Sequence, residues 1–219
     1  MKRSVRLTED GSHTLFVEGL NEPYHSTHGA LRESMHVFIK QGLLTVNLPS
    51  VRILEIGFGT GLNALLTISE TLGLNSEVYY HAVEKYPLKE HEFSKLNYEE
   101  LIDGIPEGIL LRIHSCPWEE PVKISEHITL YKEKSDFRSM NPPSHINLVY
   151  FDAFSPEKQP ELWSRDVIAK IAELTDTGAV LVTYSAKGEV RRTLNSCGFD
   201  VVKVAGPPGK REMIRAIKR

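Results

Sequence analysis

Three acids stand where apolar runs stop. Glu84 follows "EVYYHAV", Asp152 follows "INLVYF", and Asp136 lies just past "HITLYKEKS". A carboxylate at the mouth of a buried strand is a poor core residue. It is a good hydrogen-bond acceptor, or a base. A fourth acid, Glu55, lies inside "LEIGFGTGLN", residues 54–63, whose glycines fall at 57, 59 and 61. Glycines let a chain turn sharply between a strand and a helix and let backbone approach a ligand closely. The helix start beyond can receive an anionic group. The dinucleotide pattern G-x-G-x-x-G is not met, because the third glycine comes one residue early and Leu62 follows it. Glu55 beside the loop would repel a pyrophosphate and attract a cationic ligand. Glu84, 23 residues after Gly61, is placed to accept hydrogen bonds from both hydroxyls of a ribose.

These residues need strands and helices to hold them, and the chain supplies an alternation. Strands are expected at 51–57, 77–85, 127–135, 146–152 and 178–185. Helices are expected at 61–73, 88–98, 160–175 and 187–198, the last stopped by Gly198. The runs 199–206 and 211–219, joined by "PPGK", read as a closing antiparallel hairpin. Continuous apolar strands alternating with helices predict an α/β fold, with a mostly parallel sheet covered on both faces. Its ligand should bind beyond the carboxyl ends of the strands. Residues 1–50, helical over Ala30–Leu43, and the turn-rich stretch 99–126 stand outside the alternation and are expected to cap the sheet near the site.

The 219 residues fit one compact domain with a substantial core. No apolar run reaches transmembrane length, and the basic start "MKRSVRLTEDGSH" lacks the apolar segment of a secretory signal. Cys116 and Cys197 are far apart and belong to no metal-ligand spacing, so the expected compartment is the cytoplasm. His25, His28 and His36 are not at a convincing metal spacing either, and no metal is expected. The net charge of −3 conceals an asymmetry: residues 187–219 carry +6 and the rest −9. A basic end on an acidic body suits a polyanion, although a solvated helix face would look the same.

The E-x-G-x-G-x-G motif with its downstream acid resembles the S-adenosyl-L-methionine-dependent methyltransferases. The cofactor of that superfamily has a ribose, a cationic sulfonium, a zwitterionic tail and no phosphate. The resemblance implies a Rossmann-like class I fold, with a seven-stranded sheet ending in an antiparallel hairpin. Residues 1–50 would be an N-terminal cap and 51–219 the methyltransferase domain. It also implies that Glu55, Gly57, Gly59, Gly61, Asn63, Glu84 and Lys85 face the cofactor. Asp136 would take the adenine amino group, Phe137 would flank the base, and Asp152 would stand beside the methyl donor.

Enzymes that methylate amino groups often carry an acid or Asn at the position of Asp152, followed by prolines and an aromatic. Here the turn is "DAFSP", not the "DPPY" or "NPPY" of adenine-N6 enzymes, which argues against a planar exocyclic amine. The segment "DAFSPEKQPELWS" resembles instead the MnmC/MnmD family. That family is the methyltransferase half of the bacterial enzyme that finishes 5-methylaminomethyl-2-thiouridine at the tRNA wobble position, together with its stand-alone counterpart. "YHSTHGALRESMHVFI", "GEVRRTLNSCGF" and "GPPGKREMIRA" extend the likeness over nearly the whole chain.

The resemblance implies N-methylation of a primary aliphatic amine, with tRNA as the substrate. Because this chain stops at Arg219, a separate FAD-dependent oxidase would be its partner. Such an amine titrates near 10, as Lys does. Asp152 would accept one of its N–H groups and aim the lone pair. Phe154 and Tyr184 would pack against cofactor or modified base. Arg191, Arg192, Lys210 and Arg211 would meet tRNA phosphates. Glu33, with His36 and Tyr24 near it, is a candidate for the amino group of the cofactor. A methyl or aminopropyl transferase acting on a small-molecule or protein amine is the alternative. A binding module without catalysis fits less well, given the intact Asp152 and glycine loop.

Overall fold

A computed structural model describes residues 2–72, 76–140 and 142–219. The N-terminal segment opens with a small antiparallel sheet, β1 (Arg3–Leu7), β2 (His13–Val17) and β3 (Glu22–Pro23), that the sequence reading did not anticipate. Helix α1 (Ala30–Ser34) follows and widens into a π-helical turn over Met35–Lys40, where the Gln41 N–H reaches the carbonyl of His36 at 3.1 Å. Gly42 stops it: a Cβ there would sit 2.3 Å from the carbonyl oxygen of Phe38. The helix expected over Ala30–Leu43 is therefore present but ends three residues early.

The main unit begins with β4 (Ser50–Ile56), α2 (Leu62–Thr71) and β5 (Glu77–Val83). Residue 73, the last of the helix expected at 61–73, lies outside the described residues. Next come α3 (Glu90–Phe93), α4 (Ile109–Ser115), β6 (Pro121–Lys123) and β7 (Ile128–Glu133). The chain continues through β8 (Ile146–Phe151), α5 (Arg165–Leu174) and β9 (Thr175–Thr183). It closes with α6 (Gly188–Ser196), β10 (Phe199–Ala205) and β11 (Glu212–Lys218).

Among the described residues the sheet has eight strands, ordered β10-β11-β9-β8-β4-β5-β7-β6. The five central strands are parallel, and β11 is antiparallel to both β9 and β10. Seven of the eight correspond to the expected sheet. The eighth, β6, is a three-residue antiparallel edge strand from the stretch that read as turns.

Both faces are buried, and alternate residues of the same strand divide between them. Ile53, Leu148 and Tyr150 join the core under α2, α4 and the N-terminal segment, with Leu65, Ile113, Leu15 and Phe38. Leu54, Ile56, Val149 and Phe151 join the core under α5 and α6, with Val167, Ile171, Val190 and Leu194. Each fully buried aliphatic or aromatic side chain is worth about 1.5–3 kcal/mol. The N-terminal segment thus contributes Leu15, Val37 and Phe38 to the core of the sheet.

Candidate active site

Strand β8 lies beside β4, in register at Glu55 with Tyr150 and at Ile56 with Phe151. Where the two strands end, the Asp152 N–H donates to the carbonyl of Ile56 at 3.0 Å. The residue that follows β4 has to be glycine. Gly57 has φ +97°, and a Cβ on it would come 2.6 Å from the carbonyl oxygen of Asp152. Gly59 has φ +50°, and a Cβ there would press on the ring of Tyr24 at 3.0 Å. The glycine loop is therefore packed between the Asp152 turn and the N-terminal segment.

The cleft above these strand ends is lined by Gly57, Gly59, Asn63, Glu84, Lys85, Asp136, Phe137, Asp152, Phe154 and Tyr184. The N-terminal segment adds Glu22, Tyr24, His25, Ser26 and Glu33, and the closing hairpin adds Lys210. Glu84 holds the loop from below. Its carboxylate accepts the Gly59 N–H at 3.0 Å and the Tyr86 N–H at 2.7 Å. Asp136 accepts from Arg138 at 2.7 Å and from Lys85 at 3.0 Å, and these donors, Arg138 foremost, hold its carboxyl far below the usual carboxylate range. Phe154 meets Tyr24 edge-on with ring centroids 4.9 Å apart. The Tyr184 hydroxyl donates to the carbonyl of Ala153 at 2.8 Å.

One amide joins two acids in the floor. Asn63 Nδ2 donates to Asp152 Oδ2 at 2.8 Å and to Glu55 Oε1 at 3.0 Å. Burial, and then the Glu33 carboxylate, push the Asp152 carboxyl well above its ordinary value, against the pull of Asn63 and Lys210. Glu55 is fully enclosed, and burial followed by the charge of Asp152 drives its carboxyl strongly up, toward the neutral acid.

Three expectations need correction. Glu55 does not line the cleft and does not face a cationic ligand; it lies beneath the floor and reaches the site only through Asn63. Gly61 also lies below the surface, against His114 and Ile113, where its φ of +74° starts α2. Lys210 is not out among surface phosphate contacts. It turns into the cleft, with Nζ 2.6 Å from Glu33 Oε1 and 4.1 Å from the centroid of Tyr184. Arg191, Arg192 and Arg211 stand outside the cleft, on α6 and the hairpin.

The histidines of the N-terminal segment have structural partners. His25 lies between Thr14 Oγ1 at 3.2 Å and Thr60 Oγ1 at 3.3 Å, and burial lowers its ring to about 4. His36 Nε2 is 2.7 Å from the carbonyl of Ala205, and His28 pairs with Glu9. Among the described residues no group of three His, Cys, Asp or Glu could hold a metal ion, and no helix is long and apolar enough to cross a membrane. Glu22, Ser26, Tyr86 and Gln159 also line the cleft and were not singled out from sequence. Tyr86 was within reach, two residues past Glu84. Glu22 carried no signal, because its place depends on the small sheet.

The residues fit S-adenosyl-L-methionine. The Glu84 carboxylate uses two of its roughly four acceptor positions on the backbone and keeps the others for hydroxyls. Asn63 Oδ1 is buried without a partner at the floor. Acids, not phosphate-binding cations, surround the glycine loop. A parallel sheet with this loop, these strand-end acids and a reversed β11 defines a class I S-adenosyl-L-methionine-dependent methyltransferase.

Comparison with known proteins narrows the class. A family described as S-adenosyl-L-methionine-dependent methyltransferase matches residues 123–219. The crystal structure of MnmC2 from Aquifex aeolicus superposes with a TM-score of 0.82 at 30% identity, covering 100% of this chain and 70% of that one. The bifunctional protein MnmC of tRNA 5-methylaminomethyl-2-thiouridine biosynthesis from Campylobacter hominis is 32% identical over 207 residues, 92% of this chain and 31% of that protein. Its namesake from a Marinomonas strain is 31% identical over 211 residues, 88% of this chain and 31% of that protein. The chain thus spans about a third of the length of these curated relatives. It belongs to the MnmC family of S-adenosyl-L-methionine-dependent methyltransferases.

Proposed function

We propose that this protein N-methylates the primary amine of 5-aminomethyl-2-thiouridine at the wobble position of tRNA, giving the methylaminomethyl product. The relatives are named for the biosynthesis of that nucleoside. The observation that carries the reading to chemistry is Asp152, held at the strand mouth by Asn63 and facing a cleft walled by Phe154 and Tyr184.

Bound in this cleft, S-adenosyl-L-methionine supplies a methyl group already activated by a sulfonium. The protein then has to present a neutral amine. An aliphatic ammonium near neutral pH is almost wholly protonated and has no lone pair to attack with. Asp152, whose carboxyl is raised by burial, takes the proton from the ammonium and releases it to solvent, so that it is again a carboxylate when the methyl group moves. It keeps one N–H as a hydrogen-bond donor and so aims the lone pair. One proton leaves per methyl group added. The product is again a cation, and Asp152 stabilises the charge as it forms. Asn63 fixes the carboxylate, so little reorganisation is needed at the moment of reaction. Phe154 and Tyr184 give the modified base an apolar seat, and a splayed wobble nucleotide is suited to such stacking.

In this reading Glu84 and Asp136 receive the ribose and the adenine, while Arg191, Arg192 and Arg211 meet RNA phosphates. The relatives are bifunctional by name. The second activity, read as an FAD-dependent oxidase, supplies the aminomethyl group, and both act in the cytoplasm. The test is methyl transfer from labelled S-adenosyl-L-methionine to tRNA carrying 5-aminomethyl-2-thiouridine, with mass spectrometry of the nucleosides. One added methyl on that nucleoside supports the reading. No transfer with cofactor binding intact would move the acceptor to a small-molecule or protein amine.

A further inference from the structure

Lys210 was expected on the surface, and its place in the cleft needs an account. Its side chain is 33% exposed and that of Glu33 is 8% exposed. The pair spans 177 positions of sequence, joining the closing hairpin to α1. Glu33 is held from behind by the Ser26 N–H at 2.7 Å, so its carboxylate cannot swing away to follow solvent. Lys210 rests on the face of Tyr184, whose hydroxyl is tied to the Asp152 turn. A fixed cation and a fixed anion thus stand side by side in the lining of the cleft.

Neither partner is saturated. An ammonium has three donors, and Lys210 spends one on Glu33. A carboxylate has about four acceptor positions, and Glu33 uses two, for Ser26 and Lys210. A ligand group that matches the pair must carry both signs on neighbouring atoms. The α-amino-acid end of S-adenosyl-L-methionine does. Its decarboxylated form, the aminopropyl donor, has the ammonium alone, which Lys210 would repel.

We propose that Lys210 is the specificity determinant that selects the carboxylated cofactor, receiving its tail carboxylate while Glu33 receives the tail ammonium. This rests on the cofactor assigned above, and it deepens the functional reading by giving a physical reason for methyl transfer rather than aminopropyl transfer. A charge-assisted hydrogen bond in a partly dry site is worth about tenfold to a hundredfold in affinity. Loss of the carboxylate should cost at least that, because Lys210 then faces only a like charge.

The experiment is calorimetric titration of the full chain, without RNA. The three ligands are S-adenosyl-L-methionine, decarboxylated S-adenosylmethionine and methylthioadenosine, which lacks the tail. The wild type should bind the carboxylated cofactor at least tenfold tighter than the decarboxylated one. Lys210→Met should bring that ratio close to one. Glu33→Gln should weaken both tailed ligands together and preserve the ratio. Neither substitution should change methylthioadenosine binding, which also shows that the variants fold.

A ratio unchanged in Lys210→Met overturns the proposal, while the methyltransferase reading stands. Equal weakening of both tailed ligands by Lys210→Met also overturns it, leaving Lys210 as a latch between hairpin and helix. Failure of the wild type to bind S-adenosyl-L-methionine would remove the cofactor assignment and this proposal with it.

Discussion

Asp152 and Glu55 share one amide donor, yet they should behave oppositely when replaced. Asp152 faces the cleft, and its ionised form does the work. Below the titration of the acceptor amine, activity falls tenfold per pH unit from loss of the neutral amine. Below the titration of Asp152 the wild type should lose a second factor of ten per unit. Asp152→Asn should lack that second slope and run about 10² to 10⁴-fold slower. A pH profile of kcat/KM over both limbs checks this, and an unchanged double slope would remove Asp152 as the base. Glu55 is buried, and its raised carboxyl is a cost at high pH. The stability it contributes is present below its unfolded value and is lost as pH rises through the folded one. Glu55→Gln mimics the neutral acid, so its stability relative to wild type should rise with pH, by up to about 1.4 kcal/mol per unit. Urea unfolding at several pH values would read that slope.

At the scale of elements, the strands and helices with strong patterns were legible and the short ones were not. Strands β4, β5, β7, β8 and β9 are apolar runs that end at chemistry-bearing residues, and each lies where expected. Strands β1 to β3 are short, and only β2 is largely buried, so they carry little apolar signal. The helix expected at 88–98 shrinks to the single turn of α3 for a visible reason. The amide of Asn97 is taken by the His13 N–H at 2.8 Å and the Gly11 carbonyl at 2.9 Å, which turns the chain toward the small sheet. That contact crosses more than 80 positions and has no local signature. Lys210 was misread similarly: a lysine in a basic, turn-rich segment looks like surface until its distant partner, Glu33, is known. Among the legible elements, α1 is anchored by Phe38 against Tyr150, with ring centroids 5.3 Å apart. Phe38→Ala should cost about 3–5 kcal/mol in denaturant unfolding, because the cavity opens between the N-terminal segment and the sheet.

For the whole molecule, the charge asymmetry remains after Lys210 is withdrawn from it. Arg191 and Arg192 on α6 and Arg211 on the hairpin do not line the cleft. If they neutralise phosphates, replacing all three by Ala should flatten the salt dependence of tRNA binding. Each lost contact lowers the logarithmic slope by about 0.7 to 0.9. Cofactor affinity should not change. Filter binding over a range of salt concentrations would measure both, and an unaltered slope would place the RNA elsewhere.

The Glu33–Lys210 contact also bears on how the molecule becomes functional during synthesis. One wall of the cleft is made at residues 22–33 and its counterpart at residue 210, so the pocket is closed by segments whose paired residues lie 177 positions apart. Strand β11 inserts between β9 and β10, and among the described residues β10 has no other neighbour in the sheet. A nascent chain that has not yet released β11 therefore has the glycine loop and the acids but no finished binding site. Cofactor loading becomes a report that hairpin insertion is complete. A ligand that binds only this finished form then draws the folding equilibrium toward it.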